Sequence, residues 1–302
     1  MHAYYRRLFL PGGAGFHFSG SVPSDLASLR YLQSTDPEDV ICSVLAYAQL
    51  GQFAPCSRLL ELMALHDDAD IWGSCSTLLS FAAPRSILQE LVPLAERLRT
   101  QQGSDAPLQW AGETLARSHE SWVVPAMLRL FEQIQSYDRY MALPVYLSLL
   151  LESEPGEIDT GPRRIRDPDD PDWYEPPPAW DIAEYVRLVE ARHTDVIVSL
   201  PNPADSCLFD GELLTLRQVA VRALDRVNRT SESHLRLPQA RMLLEAYTGE
   251  DFSGFYEMND RSLRLLPLHA SARLEAFLEG GTVDRFLPGV RYFFGHRVPV
   301  SC

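Results

Sequence analysis

From Ser24 onward, apolar residues recur mostly at helical spacing. Asp36-Pro37-Glu38-Asp39 reads as an N-cap with Pro at the first helical position, and Ile41, Val44, Leu45 and Ala48 follow at the i, i+3, i+4, i+7 spacing of one buried face. Gly51 closes that helix. A second begins near Pro55 and carries Leu59, Leu60, Leu62 and Met63, so the two pack as a hairpin across a short turn. Ser121 caps a run with Val124, Met127, Leu128, Phe131 and Ile134, and a partner helix follows over 137–151, kinked at Pro144. Further helices are predicted over 181–193, 212–227, 238–247 (ended by Gly249) and 269–278 (ended by Gly280-Gly281). Before them, YYRRLFL and FHFSGSV flank the turn residues PGGAG and predict a short N-terminal β-hairpin. At the other end, VRYFFGHRVPV is rich in aromatic and β-branched residues and predicts a short strand or a clamp over the last hairpin.

The helical pattern repeats. DPEDVICS (36–43) aligns with DDADIWGS (67–74), pairing Asp36/Asp67, Asp39/Asp70, Val40/Ile71 and Ser43/Ser74. PCSRLLELM (55–63) aligns with PRSILQELV (84–92), pairing Leu59/Leu88 and Leu62/Leu91. Helix hairpins recurring at about 30 residues bury their apolar faces by stacking on neighbours. The expected fold is therefore mainly α, a helix-hairpin α-solenoid of the HEAT/TPR kind with a short N-terminal β-hairpin. Its divisions are a hairpin (1–23), a helical-repeat half (24–151), an acidic Pro-rich loop or linker (152–180) and a C-terminal helical half (181–302).

Composition removes several chemistries. The 27 basic residues are all Arg, since the chain has no Lys, so Schiff-base catalysis and a Lys-bearing phosphate loop are excluded. A net charge of −14 repels nucleic acid and anionic membrane and favours a basic partner. No apolar run reaches the roughly 18 residues of a membrane span, and no secretory leader pattern opens the chain, so a cytoplasmic location is expected. Five cysteines, Cys42, Cys56, Cys75, Cys207 and Cys302, show no C-x-x-C pair and read as buried free thiols rather than a disulfide framework or zinc site.

Catalytic patterns fall short one by one. His66-Asp67 has the dyad of helical metal-dependent phosphohydrolases, but the upstream His17 lies in the expected hairpin. Asp67-Asp68-Ala69-Asp70-Ile71 and Asn259-Asp260 each lack the last ligand of a helical magnesium motif, at Ile71 and Leu263. No G-x-S-x-G occurs, and PGGAGFHFSG lacks the helix a phosphate cradle needs. Cys56 and Cys75 read as core residues rather than nucleophiles, although Cys56 sits near a helix start. No catalytic residue, metal site or cofactor is expected.

The stretch DPDDPDWYEPPPAWD (167–181) is the exception to an otherwise ordinary surface. Glu152 to Asp181 holds ten acidic residues against three arginines, half of the chain's net charge, and seven prolines that favour extended backbone over helix. As a calcium loop it fails, with Asp172 and Pro178 where Gly and Glu are required. A solvated linker is the plainer reading. Trp173, Tyr174 and Trp180 beside Asp167, Asp169, Asp170, Asp172 and Glu175 favour a protein-binding face instead: carboxylates steer a basic partner and aromatics anchor it.

The helix hairpins, the acidic balance, the Arg-only composition and the closing RYFFGHRVP (291–299) resemble helical-repeat immunity proteins of bacterial polymorphic toxin systems. That resemblance implies a non-catalytic protein that neutralises a toxin domain by direct binding, and it transfers no functional residue. The alternatives are an α-solenoid scaffold for endogenous partners and, third, a metal-dependent helical phosphohydrolase.

Overall fold

A computed structural model describes residues 17–19, 22–134, 142–153, 158, 165–166, 174–175, 182–229, 236–259 and 262–301. The expected N-terminal β-hairpin falls largely outside them. The described chain is mainly helical, with small antiparallel strand pairs.

Its helices are α1 (Leu29–Leu32), α2 (Pro37–Gln49), α3 (Ser57–Leu65), α4 (Ala69–Ala82), α5 (Arg85–Gln102), α6 (Ala106–Arg117), α7 (Val123–Gln133) and α8 (Ala142–Leu151). After the acidic stretch come α9 (Ile182–Val198), α10 (Leu216–Asn228), α11 (Arg236–Thr248) and α12 (Pro267–Glu279). The strand pairs are β1 (Ile165–Arg166) with β2 (Tyr174–Glu175), β3 (Leu208–Phe209) with β4 (Glu212–Leu213), β5 (Tyr256–Asn259) with β6 (Ser262–Leu265), and β7 (Tyr292–Phe293) with β8 (His296–Arg297).

Local chemistry sets the helix starts. The Asp36 carboxylate accepts from Glu38 N at 3.0 Å and opens α2. In the repeat it is Asp68, not the aligned Asp67, that caps α4, accepting from Asp70 N and Ile71 N at 2.8 and 3.1 Å. The sequence alignment of that pair is thus one residue out of step with the caps, while Leu59/Leu88 and Leu62/Leu91 are buried as matched positions. Burying each such leucine contributes roughly 2 kcal/mol.

In the first half, several helices also touch the one after next: α2 packs on α4, α3 on α5, α4 on α6, α6 on α8 and α7 on α9. In the second, α10 packs on both α11 and α12. The C-terminal segment takes the first of its two expected forms, a short strand: β7 pairs with β8 and lies between α4 and α11. Phe18, Phe81 and Phe293 meet there edge to face, with centroids 5.0 and 5.5 Å apart, joining the N-terminal segment, α4 and β7 in one core.

Several element bounds differ from the sequence reading. The helix expected from 212 begins at Leu216 with Thr215 as N-cap, because Asp210-Gly211 forms a hairpin turn with φ of 53° and 74° and commits Glu212–Leu213 to β4. The helix expected to end at 193 continues to Val198. Ser121 does not cap α7: its hydroxyl donates to Pro203 O, and Trp122 is the N-cap. The helix α6 was not anticipated, yet it is the hub that α4, α5, α7 and α8 all contact. The helix expected over 137–151 is described from Ala142, and residues 135–141 lie outside the described set.

Helix α11 is buried on nearly every side, although RLPQARMLLEAYT is not apolar all round. Its Arg236, Gln239, Arg241 and Glu245 are therefore obliged to find polar partners inside the protein.

Candidate functional site

The acidic stretch is anchored at both ends. At its start the Glu152 side chain, 4% exposed, accepts from Ile158 N at 3.0 Å, and Ile158 packs against the core. After it, Tyr185 on α9 is buried against Phe131, their ring centroids 5.5 Å apart. Between these anchors β1 pairs with β2, Ile165 opposite Glu175 and Arg166 opposite Tyr174. Of the expected binding residues, Tyr174 and Glu175 are thus placed by their backbone in β2. Asp167, Asp169, Asp170, Asp172, Trp173 and Trp180 lie outside the described residues.

The root of this stretch rests on a buried ionic cluster that sequence reading missed. The turn at Asp210 turns its carboxylate inward, where it is fully buried. It accepts from Arg236 Nη1 at 2.6 Å and Arg226 Nη2 at 2.7 Å, and Arg222 Nη1 lies 3.3 Å away. Arg236 also donates to the carbonyls of Glu152, Ser153 and Ser148 and to the Ser148 hydroxyl. A buried carboxylate thereby ties α10 and α11 to the end of α8, where the acidic stretch begins. The D-G dipeptide between apolar runs was the available signal for this turn.

A second polar seam joins the halves through the loop after α6. His119, in the left-handed region with φ 62°, donates from Nδ1 to Leu208 O at 2.9 Å, and its Nε2 accepts from Gln239 Nε2 at 2.9 Å. Burial pushes its pKa down to about 4. Glu120 receives Arg85 Nε and Arg291 Nη1, both at 2.6 Å, and Trp122 Nε1 at 2.5 Å. Arg291 continues to the carbonyls of Ser80 and Ala83 at 2.9 and 2.8 Å, so the C-terminal segment is fastened to the end of α4. On α11, Glu245 accepts from Arg241 Nη1 at 2.6 Å, from Ser19 N and Oγ at 2.7 and 2.8 Å, and from the His17 ring.

Each candidate catalytic group has a defined partner or burial in the fold. His17 bonds to Glu245, and the Asp68 carboxylate is spent on the α4 cap. The His66 carbonyl accepts from Trp72 Nε1 at 2.6 Å, so this residue fastens α3 to α4. Cys42, Cys56, Cys75 and Cys207 are buried free thiols. Burial pushes the Cys42 and Cys207 thiols up to about 12 and Cys75 higher still, the opposite of an activated nucleophile. Among the described residues no group of three His, Cys, Asp or Glu side chains converges as a metal site would, and no described helix is long and apolar enough to cross a membrane.

Comparison of the chain with protein-family models, with curated proteins and with solved structures finds no match.

Proposed function

We propose that the chain is a non-catalytic protein-binding protein, an immunity protein that neutralises a cognate cationic toxin domain by stoichiometric contact in the cytoplasm. Its helices serve as a solenoid-like scaffold, and the acidic stretch around residues 167–180 is the face that meets the toxin. The observation that carries this reading is the placement of charge. Half of a net charge of −14 sits between Glu152 and Asp181, and the flanking Glu152 and Tyr185 are both buried in the core.

Such an arrangement suits fast capture of a basic protein. Clustered like charge raises the encounter rate over distances up to the roughly 8–10 Å Debye length of physiological salt, and aromatic anchors then slow dissociation. The contacts of α2, α3, α4, α6 and α7 with the helix after next support the scaffold role. The high thiol pKa values of Cys42 and Cys207 and the neutral, fully bonded His119 support a structural rather than chemical use of these groups.

One feature favours the adaptor alternative, in which the scaffold holds an endogenous partner. A groove of about 370 Å³ lies between α3 and α5, lined by Leu60, Pro93 and Leu94 among others. The two readings separate by co-expression with candidate toxin domains taken from neighbouring genes. The immunity reading predicts restored growth and a complex of fixed stoichiometry on size-exclusion chromatography. A chain that neither protects nor binds would overturn it.

A further inference from the structure

Where the C-terminal strands cross the start of α5, they enclose a cleft of about 240 Å³ built around three arginines. Arg85, the first residue of α5, donates from Nε to Glu120 and from Nη1 to Asp205 at 2.8 Å, while its Nη2 makes no hydrogen bond to a described residue. Arg291 forms the inner wall and donates from Nη1 and Nη2 to Glu120 and the Ala83 and Ser80 carbonyls. Arg297, on β8 at the mouth, is exposed, and its guanidinium makes no hydrogen bond to a described residue.

The carboxylates of the cleft do not use up this donor capacity. Glu120 is saturated by Arg85, Arg291 and Trp122, and Asp205, half exposed on a short 3-10 turn, accepts from Arg85 and from Asn202 Nδ2 at 2.9 Å. Three arginines against two carboxylates leave the cleft cationic within a chain of net charge −14. The Asp205 carboxyl is held below its ordinary range by the Asn202 amide, then by Arg85, with the fields of Arg85 and Arg297 adding to it. Asp205 thus shows that a carboxylate oxygen is accepted at the Arg85 fork, whose Nη2 is left over in the cleft that Arg297 also lines.

We propose that this cleft binds a small oxyanion, of the phosphate or carboxylate class, between Nη2 of Arg85 and the guanidinium of Arg297. Planar guanidinium donors match the spacing of two oxygens on either anion, and the part-buried wall of Arg85 and Arg291 reduces competition from water. No residue of 152–181 takes part, so the inference stands or falls separately from the partner-binding reading.

Isothermal titration calorimetry at constant ionic strength tests it, with inorganic phosphate in one arm and acetate in the other. A saturable one-site isotherm is expected from at least one of them, and the tighter of the two assigns the class. Arg297→Ala removes an exposed side chain and is expected to weaken binding about tenfold, the scale of one charge-assisted hydrogen bond. Asp205→Asn removes the competing carboxylate and should tighten binding. Asp284→Asn makes the same charge change in the exposed Arg217–Asp284 pair, and should leave binding unchanged. Circular dichroism confirms that each variant is folded. Absence of saturation in both arms, or equal affinity of Arg297→Ala and the unsubstituted protein, would overturn the proposal.

Discussion

His119 makes stability depend on pH in a way that can be isolated. With Nδ1 donating to Leu208 O and Nε2 accepting from Gln239, both ring nitrogens are satisfied only in the neutral form. Burial, opposed by the Leu208 bond and aided by the positive field of Arg291, lowers the pKa from 6.5 to about 4. In the unfolded chain the ring takes its proton near pH 6.5, whereas in the folded protein it resists until about pH 4. Between those values the unfolded state binds more protons, so stability falls as pH falls. At about 1.4 kcal/mol per pH unit across that window, the contribution lost is about 3 kcal/mol. His119→Asn tolerates the positive φ and does not titrate. Urea unfolding of both proteins from about pH 7 down to about pH 4.5 gives the difference, in which the other acid-sensitive groups cancel. The unsubstituted protein should lose more stability than the variant, with the gap opening below about pH 6.5. Parallel loss in the two would refute the buried neutral histidine.

Asp210→Asn keeps the shape and the turn but removes the carboxylate charge that faces the buried Arg226 and Arg236, and is expected to cost about 3–5 kcal/mol in chemical denaturation. Gly211→Ala combines a φ of 74° with a Cβ 2.7 Å from Leu151 O, whereas Gly103→Ala, at φ 65°, meets nothing within 4 Å. The second should cost about 1 kcal/mol and the first clearly more, as the shift in unfolding midpoint will show. Iodoacetamide should leave Cys42, Cys75 and Cys207 unmodified in the native protein and label them on unfolding, as read by peptide mass spectrometry, because burial holds these thiols protonated.

The helices were legible where a single rule governed them. Asp36-Pro37 and the spacing of Ile41, Val44 and Leu45 specified α2, and Gly249, with φ 73°, ended α11 as its position suggests. The interior of α11 was not legible, because a helix buried on all sides shows no polar face, and its buried Arg and Glu look like surface residues until their partners are known. Asp210-Gly211 is a hairpin signal in plain view, masked by the helical periodicity that follows it, whereas at Phe294-Gly295 an aromatic residue takes a φ of 50° that no local rule favours. The ionic seams at Asp210 and Glu120 join residues more than a hundred positions apart in places, as with Arg291 and Glu120, and no local pattern encodes such a pairing. The acidic stretch announced itself by charge and proline content, and its rooting through Glu152 needed the fold.

The central claim is that the carboxylates of residues 167–172 draw in a cationic protein. Stopped-flow association of the cognate toxin domain with the unsubstituted chain and with Asp169→Asn/Asp170→Asn/Asp172→Asn, across a range of salt concentrations, tests it most directly. Association is expected to slow about tenfold in the variant at low salt, with the gap closing as salt screens the charges and the helical circular dichroism unchanged. Identical association rates at low salt would contradict it.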